Sequence, residues 1–589
     1  MASIPSSAPR ALAAACRAGV LCALALLAGT PRAAEEPAAA QEPAAAQDPA
    51  ALPDEDPLDP RVEVDRERGE LRFACRFVNP SRLLEVFACH VTGPSHETVV
   101  EFAAGGPEIY EGLLAIGCRN ASHWSGTSPG DFARTRGDRV LILVRWEHGG
   151  ASHEHPAEAM LTDGEVEFPA FVRGFSFSAR TPKKVEEIPR GVEVTLGGTN
   201  RQRAIFALLV HPTSLPRVMP WMLPPYLDTR VVTDHRALVE EGVKATIILK
   251  RVRSEEEMLN LARADARARG LEDRMPLYDQ ILPMAREIDA LKQRYEKLLG
   301  TLRELIAAET EGRPEEEKKA RADQAGVLLR EGQWLSSRIE ERYLAVQALE
   351  EAFKTRWVEK QTGLPAEIRE DALLRAREGF SYEPLIAAKQ VEIAALELAA
   401  ARGPGTGPAA AEGGPQVPDL SVADRKALTL ALAREIDQLA ADRELHFARS
   451  FLRTYEARYR EVDPGDTYMR RLFDEERTRH RIAVKRITAQ GRLAANEARE
   501  LRAGLDGTWD AIREPTLKER AAAAKDLRVA ELEDQLLGVV EELRWAEGDA
   551  ETDDDPERKR KGLARLEELK KDKARLEEEV RKAEGEAGK

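Results

Sequence analysis

Two groups of residues have the types and spacing for chemistry. The first is Cys89-His90 followed by His96-Glu97. If Leu83–Cys89 runs as a strand, Glu85, Phe87 and Cys89 share one face and Leu84, Val86 and Ala88 the other, so a carboxylate and a thiol lie together. A hairpin through Thr92-Gly93-Pro94 then returns His96 beside them. Thiolate, imidazole and carboxylate are the donors that zinc, copper and iron take, which makes Cys89 and His96 the candidate metal residues. The spacing closes no metal motif, because His96-Glu97 opens like H-E-x-x-H but Val100 stands where the second histidine must be. A half-buried sheet face with hydrogen-bonded histidines accounts for the same residues. The second group is His148, His153 and His155. On a strand His153 and His155 face the same way and can chelate a divalent ion, whereas Gly149-Gly150 and Pro156 suggest an exposed turn.

No G-x-S-x-G elbow, Walker loop or dinucleotide glycine fingerprint is present. Covalent hydrolase and nucleotide-enzyme chemistry therefore have no residues to rest on, and neither a catalytic residue nor a cofactor is assigned. What chemistry the chain can offer is confined to its first part. Eight of its ten histidines and, after residue 22, all of its cysteines precede residue 253, and from there Ala, Arg, Glu and Leu recur in helical rhythm.

The ends and composition place the chain. Residues 1–34 read as an export signal: Arg10 and Arg17 precede the apolar run Gly19–Gly29, too short to span a bilayer, and small residues follow. An uncleaved anchor is the alternative. Residues 35–60 carry proline every few positions and almost no bulky apolar group, which predicts an extended linker. The expected compartment is the periplasm, cell envelope or exterior. A net charge of −15, with 32% of residues charged in both signs and no basic stripe among aromatics, argues against nucleic acid as partner. No second run of about 18 apolar residues occurs, so no membrane span is expected after signal cleavage. In an oxidising envelope Cys75, Cys89 and Cys118 predict one disulfide and one leftover thiol, in any of three pairings; buried thiols are the alternative.

Between residues 61 and 252 the periodicity is strand-like. Val62 and Val64, a turn over Asp65–Gly69, then Leu71, Phe73 and Cys75 predict a hairpin with one buried face. Further strands are expected at Leu83–Cys89, Thr98–Phe102, Arg139–Trp146, Val192–Leu196, Ala204–Val210 and Ala245–Val252. Glu108–Gly117 has helical spacing and ends on glycine. The succession VEVDRERGELRFACRF, LEVFACHVTGPSHETVV, EIYEGLLAIG, GDRVLILVRWE and PAEAMLTD resembles the YdjY-type domain of exported bacterial proteins, over about residues 61–252. The resemblance implies a domain without an established activity. The chain departs from that pattern at Phe171-Val-Arg-Gly-Phe175, where a Trp-Phe-x-Gly-Ser turn is usual. Pro216–Tyr226, rigid and apolar, is either a stapled loop or a partner-binding segment.

From Ser254-Glu-Glu-Glu257, an N-cap with an acidic first turn, the chain predicts helices. Leu277, Ile281, Met284, Ile288, Leu291, Tyr295, Leu298, Leu302 and Leu305 form a coiled-coil seam, with a kink expected at Pro283. Breakers at 312–314, 363–365, the Gly/Pro-rich 402–420, 463–465, 514–515 and 548–556 leave intervals of matched length. These predict antiparallel hairpins of 254–311 with 315–361, 421–462 with 466–505, and 516–547 with 557–587. The fold class expected is an α+β domain followed by a long all-α coiled-coil region in two parts, 254–401 and 421–589. The function expected is that of an exported scaffold or interaction protein, with a protein partner or a second copy bound through the coiled coils. The alternative is a metal-binding or redox protein using the Cys/His cluster.

Overall fold

The computed structural model describes residues 57–78, 84, 86–93, 98–119, 138–163, 168–177, 193–195, 207–210, 231–233, 240–307, 314–363, 366–402, 417, 420–552 and 556–585. The leader, the linker before residue 57, Pro216–Tyr226 and most of 402–420 lie outside them. An α+β domain is followed by a long all-helical region, as the two periodicities predict.

In the first part β1 (Val62–Asp65) and β2 (Glu70–Phe77) form the expected antiparallel hairpin. Its buried alternation is carried by β2, whose Leu71, Phe73, Cys75 and Phe77 face the core; Val64 is 43% exposed. Then come β3 (Val86–His90), β4 (Val100–Phe102), α1 (Gly106–Ala115), β5 (Arg139–His148), β6 (Ala151–Pro156), β7 (Leu161–Asp163), β8 (Phe168–Pro169), β9 (Phe175–Phe177), β10 (Glu193–Thr195), β11 (Ala207–Val210), β12 (Val231–Thr233) and β13 (Lys244–Val252). The ladder runs β2-β13-β5-β9-β11-β10-β3-β4, and β4 pairs back onto β2, so it closes on itself. Closure removes the sheet edges that an open ladder leaves exposed. β1 and β6 hang from this ring: β1 shares one edge of β2 with β4, and β6 shares one edge of β5 with β9. Alternate residues fill the ring, among them Phe73, Phe102, Ile142, Val144, Phe175 and Ile247, and α1 adds Ile109 and Leu113 to the same core.

The helices are α2 (Glu255–Ala268), α3 (Met275–Ala307), α4 (Glu315–Lys360), α5 (Ala366–Arg402), α6 (Val422–Glu461), α7 (Thr467–Leu505), α8 (Trp509–Thr552) and α9 (Pro556–Gly585). Ser254 caps α2 through its hydroxyl, which accepts from Glu257 N at 3.0 Å. Along α3 the seam residues Leu277, Ile281, Ile288, Leu291, Leu298 and Leu302 are buried, and the helix continues through Pro283. From α3 onward each helix packs on the one before and the one after, so the array is continuous and not a set of separate hairpins. Lys389 of α5 meets Glu435 of α6 at 3.0 Å and Arg443 of α6 meets Glu383 of α5 at 2.6 Å, which joins the two parts on either side of 402–420.

One predicted break is displaced. The interruption expected at Glu514-Pro515 falls at Gly507, which adopts φ +68°, a left-handed conformation that glycine takes without a Cβ clash. Thr508 N donates to Ala503 O at 2.9 Å and Asp506 N to Arg502 O at 2.9 Å, closing the end of α7. Pro515 instead sits inside α8. No helix among the described residues is long and apolar enough to cross a membrane.

Candidate functional site

Cys89 lies on β3, fully buried. The hairpin expected after it does not form: β3 and β4 pair in parallel, with Cys89 opposite Glu101 and His90 opposite Phe102. Parallel neighbours need a connection that returns to the starting end, so no tight hairpin joins β3 to β4. The carboxylate in register with Cys89 is therefore Glu101, and Arg76 of β2 engages it. His90 is half-buried, its Nδ1 2.9 Å from Thr92 Oγ1. Glu85, His96 and Glu97 lie outside the described residues.

The other thiols are also interior. Cys75, Cys89 and Cys118 are buried thiols, so the expected disulfide is absent among them. Burial pushes the Cys75 thiol up, and burial followed by the nearby Asp138 carboxylate raises Cys118 to about 12. Thiols so shifted are protonated at neutral pH and poor nucleophiles. The second histidine group sits on the β5–β6 hairpin, which turns at Gly149-Gly150. His153 stacks on Trp146 at 5.3 Å between ring centroids and His155 lies 5.4 Å from the same indole. They share a face, as strand spacing requires, and that face is occupied by the tryptophan. Burial holds His155 below the usual imidazole range. Among the described residues no group of three or more His, Cys, Asp or Glu is placed to hold a metal ion.

A different cluster forms where the barrel meets the helices. The outward residues of β5, Leu141 and Leu143, with Phe168, Phe171, Val172 and Val252, share one apolar core with α2, α3 and α4. The segment that departs from the YdjY-type pattern is part of this surface. Glu158, fully buried, accepts from Arg173 N at 3.1 Å and Gly174 N at 2.7 Å, fixing the turn. Gly174 has φ +66°, a conformation that side chains rarely adopt, and a Cβ there would also stand 3.2 Å from the backbone oxygen of Val140 on β5. Arg274 donates to the carbonyls of Pro169 and Ala170 at 2.5 and 3.1 Å and lies 4.4 Å over the Phe171 ring.

Charge is concentrated at the same junction. Glu255, the first residue of α2, accepts from Lys292 Nζ of α3 at 2.8 Å and from the Tyr343 hydroxyl of α4 at 2.5 Å, with Arg139 Nε of β5 at 3.7 Å. One carboxylate thus ties four elements. Burial opposes its ionisation, but Lys292 and Arg139 outweigh burial and hold it at about 2. Burial, then the Glu255 charge, push Tyr343 up to about 12. Lys292 is drawn down by burial and raised further by Glu255, with a net rise. On the other side Arg173 pairs with Glu350 of α4, and burial brings its guanidinium down to about 10. Between the two ion pairs lies a cavity of about 90 Å³, which Gln347 and Tyr278 also line.

On α4 the polar Gln347 and Glu350 are buried, while the apolar Val346, Leu349 and Phe353 are only partly so. The signal was there: polar residues at 347 and 350 keep helical spacing with buried Leu344. Arg139 and Arg173 carried a weaker one, each a cation bordering an apolar stretch. No family model, curated protein or solved structure matches the chain.

Proposed function

We propose that the protein is an exported cell-envelope scaffold or interaction protein whose first domain, resembling the YdjY type, is held fast on a helical array that meets a protein partner. The observation that carries this reading is the junction. Apolar residues of β5, β8 and the following turn share a core with α2, α3 and α4, and Glu255 joins β5 to all three helices. A covered apolar surface reinforced by buried ion pairs resists hinge motion, unlike the small polar interfaces of mobile domains. The leader and the proline-rich segment support export. The long charged helices offer surface for a partner or a second copy.

The test is a pair of measurements. Spin labels on Glu147→Cys and Arg356→Cys, both exposed positions on either side of the junction, should give one narrow distance distribution. A broad one would mean a hinge and remove the main support for a scaffold. Fractionation of the native host, with the mass of the mature chain, should place it outside the cytoplasm without residues 1–34. Full-length protein in the cytosol would overturn the envelope assignment.

A further inference from the structure

We propose that two copies of the chain exchange their α8–α9 hairpins, each hairpin docking on α7 of the other copy. This identifies the partner in the scaffold reading as a second copy, and it rests on that reading. The last four helices are not held alike at every step. Ala441 and Ala448 of α6 share an apolar cluster with Ala483 and Ile487 of α7, and Leu543 of α8 shares another with Leu566 and Leu569 of α9. Between α7 and α8 the printed ties are charges. Arg479, Lys485, Arg486 and Arg492 of α7 reach Glu541, Glu533, Asp534 and Asp526 of α8 at 2.5 to 2.9 Å, and Arg544 of α8 pairs with Glu475 of α7. Buried residues on the same faces are small: Ala489 of α7 and Ala523 and Ala530 of α8 each stand three or four residues from one of these charges.

That seam is the step most readily opened. Alanine methyls bury little apolar area, and half-exposed ion pairs contribute little and are screened by salt. The α8–α9 hairpin keeps its own apolar cluster when it leaves α7, so it can move as one piece.

Charge decides what fills the face it leaves. Four cations stand along α7, and their acids follow in the opposite sense along α8, as antiparallel helices require. A second copy carries that acidic strip in the same register, so it re-forms every pair. The connection favours the exchange. Only Asp506–Thr508 separate α7 from α8, and Gly507 turns the chain there at φ +68°. Short turned hinges invite domain swapping, because an opened hinge recovers the same contacts between two chains.

The experiment mixes two forms of the full chain, one with Arg486→Cys and one with Asp534→Cys. They are mixed at roughly 0.5 mM protein, approaching the millimolar effective concentration of a short connection. Salt of roughly 1 M, which shortens screening to about 3 Å, opens the seam and is then removed. A short bismaleimide is added, and covalent pairs containing one chain of each form are counted by mass. Exchange sets the two new thiols across one seam on different chains. The yield should be at least tenfold that of Arg486→Cys mixed with Arg356→Cys, whose second thiol lies on α4. Inserting Gly-Ser-Gly after Gly507, which relaxes the hinge, should lower the yield severalfold. Equal yields from the two mixtures, no covalent pair, or a yield unchanged by the insertion would overturn the proposal. The spin-label distances across the junction, on which the scaffold reading rests, stay the same in each case.

Discussion

In the barrel, β2 at residues 70–77 is paired with strands that begin at residues 62, 100 and 244. In the array, each helix from α3 to α9 packs on its immediate neighbours in the chain. The first arrangement closes long loops before any pairing is rewarded, and every strand depends on the whole ring. The second is nearly one-dimensional, so its stability is a sum of local interfaces. The junction joins an all-or-none unit to one that can lose a piece at a time. Even the charges differ in this respect. Arg479, Lys485, Arg486 and Arg492 of α7 pair in turn with Glu541, Glu533, Asp534 and Asp526 of α8, so that flank is spent on the neighbouring helix.

The strongest way to break the contrast is a core truncation in the ring. Phe175→Ala removes a fully buried ring and should cost about 3–5 kcal/mol. In hydrogen exchange it should deprotect β2, β3, β5 and β13 together; loss confined to β9 would show that closure is not cooperative. Next comes the junction. Glu255→Ala leaves Lys292 and Arg139 buried without their carboxylate and should cost about 3 kcal/mol, read by denaturant unfolding. The same group sets an acid limit. Its folded value of about 2 lies below the ordinary 4.5, so its stabilisation is complete above 4.5 and is lost as pH falls through that value toward 2. Unfolding midpoints that fail to drop faster over this window in the native chain than in Glu255→Ala would contradict the assignment.

A smaller effect should stay local. Leu569→Ala, in the cluster that joins α8 and α9, should cost about 2 kcal/mol and raise exchange in those two helices, with barrel amides unchanged. A barrel response would mean that the array transmits strain. Smallest is Gly507→Ala, which forces a side chain into φ +68° and should cost about 1 kcal/mol. A comparable loss from Pro515→Ala would restore Pro515 as the true break.

Element types were legible wherever one period dominated. Leu71, Phe73 and Cys75 alternate because β2 buries one side, and Leu291, Leu298 and Leu302 recur because α3 does the same at helical spacing. Breaks were legible where glycine and proline coincide, at 312–314 and 463–465. Pro515 misled because a proline does not end a helix whose next turns are already packed, while the lone Gly507 ended one through its conformation. The sense of β3 against β4 was not legible: a Thr-Gly-Pro segment is compatible with a reversal, and only the two pairings of β4 decide otherwise. The Cys and His groups drew notice by residue type, yet what surrounds them is Trp146, Arg76 and a closed core contributed from elsewhere in the chain.

Composition and period by themselves determined the division into an α+β part and a helical part, because they record which face of each element must leave water. Tertiary structure alone decided that the barrel closes, that all three described thiols are interior, and that the cluster worth testing lies between the two parts. Glu255, Arg139, Lys292 and Tyr343 are ordinary residues at ordinary helical or strand positions. They become a site only when β5, α2, α3 and α4 meet, where the Lys292 and Arg139 charges outweigh burial and give one carboxylate its depressed pKa.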